Sequence, residues 1–192
     1  FDALQTYGAD AIRWYFYINS APWLPNRFHG KAVVEGQRKF LGTLWNTYAF
    51  YVLYAEIDGY NPANYNLKDC KLTLMDKWVL SKLNTLVKEV KDGFDAYEPT
   101  RAGRAISDFV TESLSNWYVR LNRKRYWAGK MDTDKLSAYQ TLYTCLETVA
   151  RLMAPIAPFY ADRLFSDLNN ATGRFSECSV HLCRFPEVKE EY

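Results

Sequence analysis

The residues best suited to chemistry lie in one run, Ser115–Trp127, SNWYVRLNRKRYW, which holds two tryptophans, two tyrosines and four cations and no acid. Cations at that density suit a polyanion, because each Lys or Arg that neutralises a phosphate releases condensed counterions. Indoles beside them suit unpaired bases, which stack on aromatic faces. On a helix, Leu114, Trp117, Tyr118 and Leu121 fall together and are expected to face a core. Arg120, Arg123, Lys124 and Trp127 fall on an adjoining face, with Arg125 and Lys130 beside the helix end. A plainer reading competes. Cations near a helix C-terminus are favoured by about 0.3–1 kcal/mol each, and their aliphatic stems can simply cover apolar surface. Mutual repulsion among five cations between Ser115 and Lys130 tips the balance towards a partner.

Other chemistries find little support. In CSVHLC, an extended chain would set His181 and Cys183 on one face and Cys178 on the other, which matches no zinc spacing. His29 and His181 are the only histidines, and neither has a nucleophile beside it. Gly129-Lys130 lacks the earlier glycine and the following hydroxyl of a phosphate-binding loop. Asp76, Asp92, Asp108 and Glu112 read as solvated residues of helix faces. No catalytic and no metal-ligating residue is expected.

The totals agree with a binding module. A chain of 192 residues can bury a proper core. It is 48% apolar and 24% charged, which excludes disorder and fibrous repeats. Net charge is only +2, so a nucleic-acid partner must be met by local clustering of cations. Four scattered cysteines, Cys70, Cys145, Cys178 and Cys183, suit a reducing cytoplasm. No run of apolar residues is long enough to span a membrane. A start at Phe1, inside an apparent helix, suggests a piece of a longer protein.

The elements that must position the basic run are helices. Ala9–Asn19 reads as an apolar helix, and SAPWLPNRFHG as a connector. From Lys31 to about Ile57, Val34, Leu41, Leu44, Trp45, Tyr48, Val52 and Ala55 recur at helical spacing. Thr73 opens the next helix with a capping box that uses Asp76, and Leu74, Trp78, Leu83, Leu86, Val87 and Val90 form its apolar side. Pro99 opens a third, which carries the basic run in its C-terminal half. Asp132 or Thr133 caps a fourth, and a shorter helix follows Pro158. SVHLCRFP alternates like a brief strand. The expected fold class is all-α: an antiparallel helical bundle with a short extended segment at its C-terminal end.

Several of these stretches together resemble a known family. SNWYVRLNRKRYW is similar to the signature of the anticodon-binding helical domain of class I aminoacyl-tRNA synthetases of the isoleucine, valine and leucine group. YGADAIRWYF (Tyr7–Phe16) resembles the segment that follows the KMSKS loop of those enzymes, and RKFLGTLWNTYAFYVLYA (Arg38–Ala55) their first bundle helix. MDKWVLSKLN (Met75–Asn84), MAPIAPFYADRLFSDL and SVHLCRFP follow in the family's order. The wording from Phe28 to Ala55 is most similar to the isoleucine type, with the valine type the nearest competitor.

The resemblance implies that residues 1–25 are the tail of the catalytic region and its stem-contact connector, 26–178 the anticodon-binding bundle, and 179–192 a short extended segment and acidic tail. It implies a tRNA partner rather than DNA, no membrane, a monomer and a cytoplasmic location. Arg120, Arg123, Lys124, Arg125 and Trp127 would carry the RNA contacts, with Arg27 and Lys31 as weaker contributors. The HIGH and KMSKS motifs are absent, and GKMDTDK (Gly129–Lys135) follows the basic run rather than a catalytic strand. ATP, Mg²⁺ and the attachment of isoleucine to tRNA would therefore belong to a parent enzyme outside this chain, which would be inactive alone. The alternatives are a valine- or leucine-type domain, or a helical protein-interaction module without an RNA partner.

Overall fold

The computed structural model describes residues 2–192; Phe1, the first residue of the expected 1–25 segment, lies outside them. Among the described residues there are seven helices and no strand. Helix α1 is Asp2–Tyr7 and α2 is Ala9–Asn19, joined at Gly8 with φ +80°. Helix α3 (30–58) is one continuous rod made of Gly30–Gly36, a wide π-helical stretch Gln37–Gly42, and Thr43–Asp58. Helix α4 is Leu74–Asp95. Helix α5 (99–127) again joins three stretches, Pro99–Asp108, a π-helical Phe109–Val119, and Arg120–Trp127. Helix α6 is Thr133–Met153 and α7 is Pro158–Thr172.

Helix starts follow the local chemistry. Thr73 and Asp76 complete the expected capping box, each side chain taking the other's backbone N–H. Asp132 caps α6 by accepting from the Lys135 amide at 2.7 Å, and Pro99 and Pro158 sit where their missing N–H costs nothing. Helix α6 is buried on almost every side and forms the axis of the bundle, with α3, α4, α7 and the end of α5 around it. Gly93 lets α4 and α5 close up, since a Cβ there would lie 3.3 Å from the Ala102 backbone nitrogen.

The N-terminal helices are tied to this body. Arg13 donates to the carbonyls of Ile156 and Pro155, Asp10 accepts from the Tyr160 amide at 2.6 Å, and Arg104 donates to the last carbonyls of α2, those of Ile18 and Asn19. Trp14 stacks on Phe40 at 3.9 Å between ring centres.

The structure departs from the sequence expectation in four places. Trp117 and Leu121 are exposed, not buried. In the wide turns of 109–119, inward positions recur every four or five residues (Phe109 and Val110, Leu114, Tyr118 and Val119), so three-residue spacing from Leu114 misplaces Trp117. Val34, Trp45 and Leu74 also face solvent, and Val33, Phe40 and Tyr51 take the inward places in α3. Asp76, expected on a solvated face, is fully buried. SVHLCRFP forms no strand: Ser179 accepts from the His181 amide, Asp162 holds Ser179 and Val180, and Val180–Leu182 winds into a 3₁₀ turn.

Candidate nucleic-acid interface

Helix geometry sorts the basic run into two faces. Within the α-helical stretch, at about 100° per residue, Asn122, Arg125 and Tyr126 turn towards the bundle, while Arg123, Trp127, Arg120, Lys124 and Leu121 follow one another around an exposed arc, and Trp117, in the wide turns just before it, is exposed as well. Asn122 and Tyr126 are buried, the Tyr126 hydroxyl donating to the Ala138 carbonyl at 2.9 Å. Both indoles are 56% exposed. Among the described residues, none of Arg120, Arg123 and Lys124 pairs with a carboxylate.

Arg125, expected to join them, does not. Its guanidinium turns inward and spans both oxygens of Asp76 at 2.7 and 2.9 Å, while its Nε meets Asp134 at 3.0 Å. Asp76 also accepts from the Tyr118 hydroxyl at 2.6 Å and from Thr73. Burial pushes the Asp76 carboxyl up, but the hydrogen bonds from Arg125, Tyr118 and Thr73 outweigh it and hold the group below the usual carboxylate range. Burial works against the Arg125 charge in the same way, and Asp76 more than restores it. A cation so engaged anchors the helix and has no donors left for a phosphate.

A second lock sits at the helix end. Lys135 is buried; its ammonium lies 2.6 Å from Asp58 at the end of α3 and donates to the Ala128 carbonyl, just past Trp127, at 2.6 Å. The Tyr139 hydroxyl donates to the same Asp58 carboxylate. The C-terminal ends of α3 and α5 are thereby pinned together. Arg27 and Lys31 are exposed at the opposite end of α3, about 40 Å away at 1.5 Å per residue. The structure does not bring them into the arc.

Sequence reasoning missed Trp117 as an exposed group and Asp76, Asp134, Asp58 and Lys135 as the fixtures of the arc. The capping box was the one available signal for Asp76. The other locks join distant segments and leave no mark in local spacing. Among the described residues, no three of His, Cys, Asp and Glu come together as metal ligands, and no helix is long and apolar enough to cross a membrane. The four cysteines are free thiols.

Comparison with known proteins adds an independent line. Residues 76–192 match the family model described as the anticodon-binding domain of tRNA ligase. Among curated proteins, the chain is 58% identical over 191 residues to a Bacteroides fragilis protein named isoleucine–tRNA ligase, covering all of this chain and 17% of that one. It is 54% identical over 192 residues to the Cytophaga hutchinsonii protein of the same name, with the same coverage. Among solved structures, the LeuRS of a LeuRS–tRNA–LeuAMS ternary complex from Agrobacterium radiobacter K84 superposes with a TM-score of 0.71 at 17% identity, over 99% of this chain and 21% of that one. Mycobacterium tuberculosis methionyl-tRNA synthetase gives a TM-score of 0.68 at 18% identity, over 97% and 38%. At such identities the structural matches bear on the fold alone.

Proposed function

We propose a role in reading tRNA for this chain, which belongs to the anticodon-binding domain family of tRNA ligases. The chain spans about 17% of the length of the curated relatives it matches, so the activity, substrates and partners of the whole protein are part of the proposal. The parent enzyme, in this reading, joins isoleucine to its tRNA in the cytoplasm, as a monomer, with ATP and Mg²⁺ held outside this chain. Residues 26–178 form the bundle that meets the anticodon stem and loop. Residues 1–25 lead from the catalytic region, and 179–192 close the domain.

The observation that supports this is the exposed arc of α5. Arg120, Arg123 and Lys124 stand without carboxylate partners beside Trp117 and Trp127, on a helix whose inner face is locked by Arg125. The three cations position phosphates, and Trp127 offers a face to a base. Arg27 and Lys31, at the other end of α3, would touch the same RNA only at a distance along its stem. Arg125 serves as an anchor of the helix rather than a ligand.

Titration of the chain with tRNA at several salt concentrations tests this. Three phosphate contacts to a largely single-stranded loop give a log–log slope of roughly −2. Arg123→Ala with Lys124→Ala should bring it to about −0.7 while the thermal midpoint stays in place. An unaltered slope puts the RNA elsewhere on the molecule, and equal affinity for heparin reduces the arc to general polyanion binding.

A further inference from the structure

A cavity of about 290 Å³ opens between α3, the loop after it and α7, and among the described residues none of α5 lines it. That volume is at the small end for a ligand pocket and suits one aromatic ring with a short arm. The buried side chains of Tyr51, Tyr60 and Leu168 line its inner part. Tyr48, Glu56, Asp167 and Ala171, more exposed, line its mouth. Tyr51 and Tyr60 are only 4% and 8% exposed, yet neither hydroxyl has a hydrogen-bond partner in the protein. Buried hydroxyls are normally paired, because an unpaired one loses its hydration without return. Burial raises the pKa of both, so each keeps its proton and can donate. Charge is graded along the cavity. Arg174 lies over the Tyr143 ring at 4.7 Å and donates to the carbonyls of Pro62 and Tyr65, which makes the inner end electropositive. At the mouth, Asp167 is held by Arg163 at 3.1 Å and lies beside the Tyr48 hydroxyl, whose pKa burial and that carboxylate raise. Glu56, also at the mouth, pairs with no cation among the described residues.

We infer that this cavity binds a small hydroxyaryl amine, with its ring between Tyr48, Tyr51 and Leu168, its phenolic oxygen accepting from the Tyr51 hydroxyl, and its ammonium facing Glu56. The inference goes beyond the tRNA reading and does not depend on it. Three features select this class. An apolar ring fills the space between the tyrosines and Leu168, while an oxygen at its inner end supplies the partner that the buried hydroxyl lacks. A purely apolar ligand would leave that hydroxyl unpaired. An ammonium at the mouth meets the unpaired Glu56 carboxylate and the face of the Tyr48 ring, which attracts cations. A carboxylate there would instead meet two like charges, Glu56 and Asp167.

The test titrates the chain with tyramine, phenethylamine and hydroxyphenylpropionate and follows the amide NMR signals around Tyr51. Tyramine should bind with a dissociation constant of about 0.1–1 mM, which about ten non-hydrogen atoms can supply. Phenethylamine, which lacks the hydroxyl, should bind about 2- to 12-fold more weakly, the worth of one hydrogen bond. Hydroxyphenylpropionate, with the charge reversed, should bind more weakly than tyramine. Tyr51→Phe should make the two amines equal without lowering the thermal midpoint, because the hydroxyl it removes has no partner. Glu56→Gln, at an exposed position, should weaken both amines by the same factor, and Ala171→Trp, at the rim, should block both. Absence of tyramine binding, equal binding of the two amines to the unaltered chain, or a preference that survives Tyr51→Phe overturns the inference. So does hydroxyphenylpropionate binding as tightly as tyramine, or amine binding that Ala171→Trp leaves intact. Binding of tRNA to the arc uses no residue of the cavity and stands or falls by its own salt titration.

Discussion

Arg125 and Asp76, forty-nine residues apart in sequence, meet with two nitrogens on two oxygens at 2.7 and 2.9 Å. The pair fastens the basic end of α5 to the first turn of α4, and the same carboxylate caps that turn. Arg125→Ala would leave a fully buried carboxylate with only Tyr118 and Thr73 as donors. Removing one partner of such a pair costs about 3–5 kcal/mol, which urea unfolding would register as a large drop in midpoint. Arg125→Lys should recover part of the loss only, because an ammonium cannot span both oxygens.

Acid titration should reveal the same carboxylate. The folded Asp76 pKa is depressed, so its stabilisation is fully present above the unfolded value of about 3.9 and is lost as pH falls through the folded pKa. Glu147 has the opposite sign. Burial raises its carboxyl, with Arg151 offsetting only part, so the fold favours its protonated form and gains from it as pH falls. The readout is therefore the gap in stability between wild type and Asp76→Asn. It should be widest well above the unfolded value of about 3.9 and close as the pH falls through the depressed folded pKa; a constant gap would mean that the charge contributes nothing.

The reach of each interaction decided whether the sequence revealed or concealed it. The Thr73–Asp76 box, the Pro99 and Pro158 starts and the Asp132 cap are contacts within three residues, and all were readable from spacing. The family resemblance was legible because several such stretches occur in order. Trp117 and Leu121 were misplaced because the wide turns of 109–119 shift the inward register, and side-chain types do not announce that shift. Arg125 looked like its neighbours Arg123 and Lys124, since nothing local distinguishes a cation that finds a buried acid on another helix from one that faces solvent. Lys135, in the polar run Thr133-Asp134-Lys135, gave no hint of burial against Asp58 for the same reason.

The end of α4 offers a stabilising change. Glu98 N–H bonds to the Gly93 carbonyl at 2.7 Å and Tyr97 N–H to the Phe94 carbonyl at 3.0 Å, a Schellman closure with Tyr97 in the left-handed position at φ +58°. That conformation costs a side-chain-bearing residue about 1–2 kcal/mol, and Tyr97 is almost fully exposed, so little packing is lost with it. Glycine brings an entropic cost of about 0.5–1 kcal/mol. Tyr97→Gly should raise stability by the difference, about 0.5–1 kcal/mol, read as a higher thermal midpoint. A fall would mean that the tyrosine ring makes contacts worth more than its backbone strain.

Lys135 separates positioning from contact. Its ammonium joins Asp58 to the Ala128 carbonyl, so Lys135→Met should free the last turn of α5 while leaving every arc cation in place. Stability should drop by about 3 kcal/mol, the low end for a broken buried pair, because Asp58 keeps the Tyr139 hydroxyl and some water. Binding must then reorder about one residue at about 1–2 kcal/mol, so affinity for tRNA should fall by about 5- to 30-fold. The salt slope should stay as it is, since the same three cations reach the phosphates. Arg123→Ala should do the reverse, flattening the slope by about 0.7 with stability intact. If Lys135→Met flattens the slope as well, the pinned helix end contributes charge to the RNA rather than alignment.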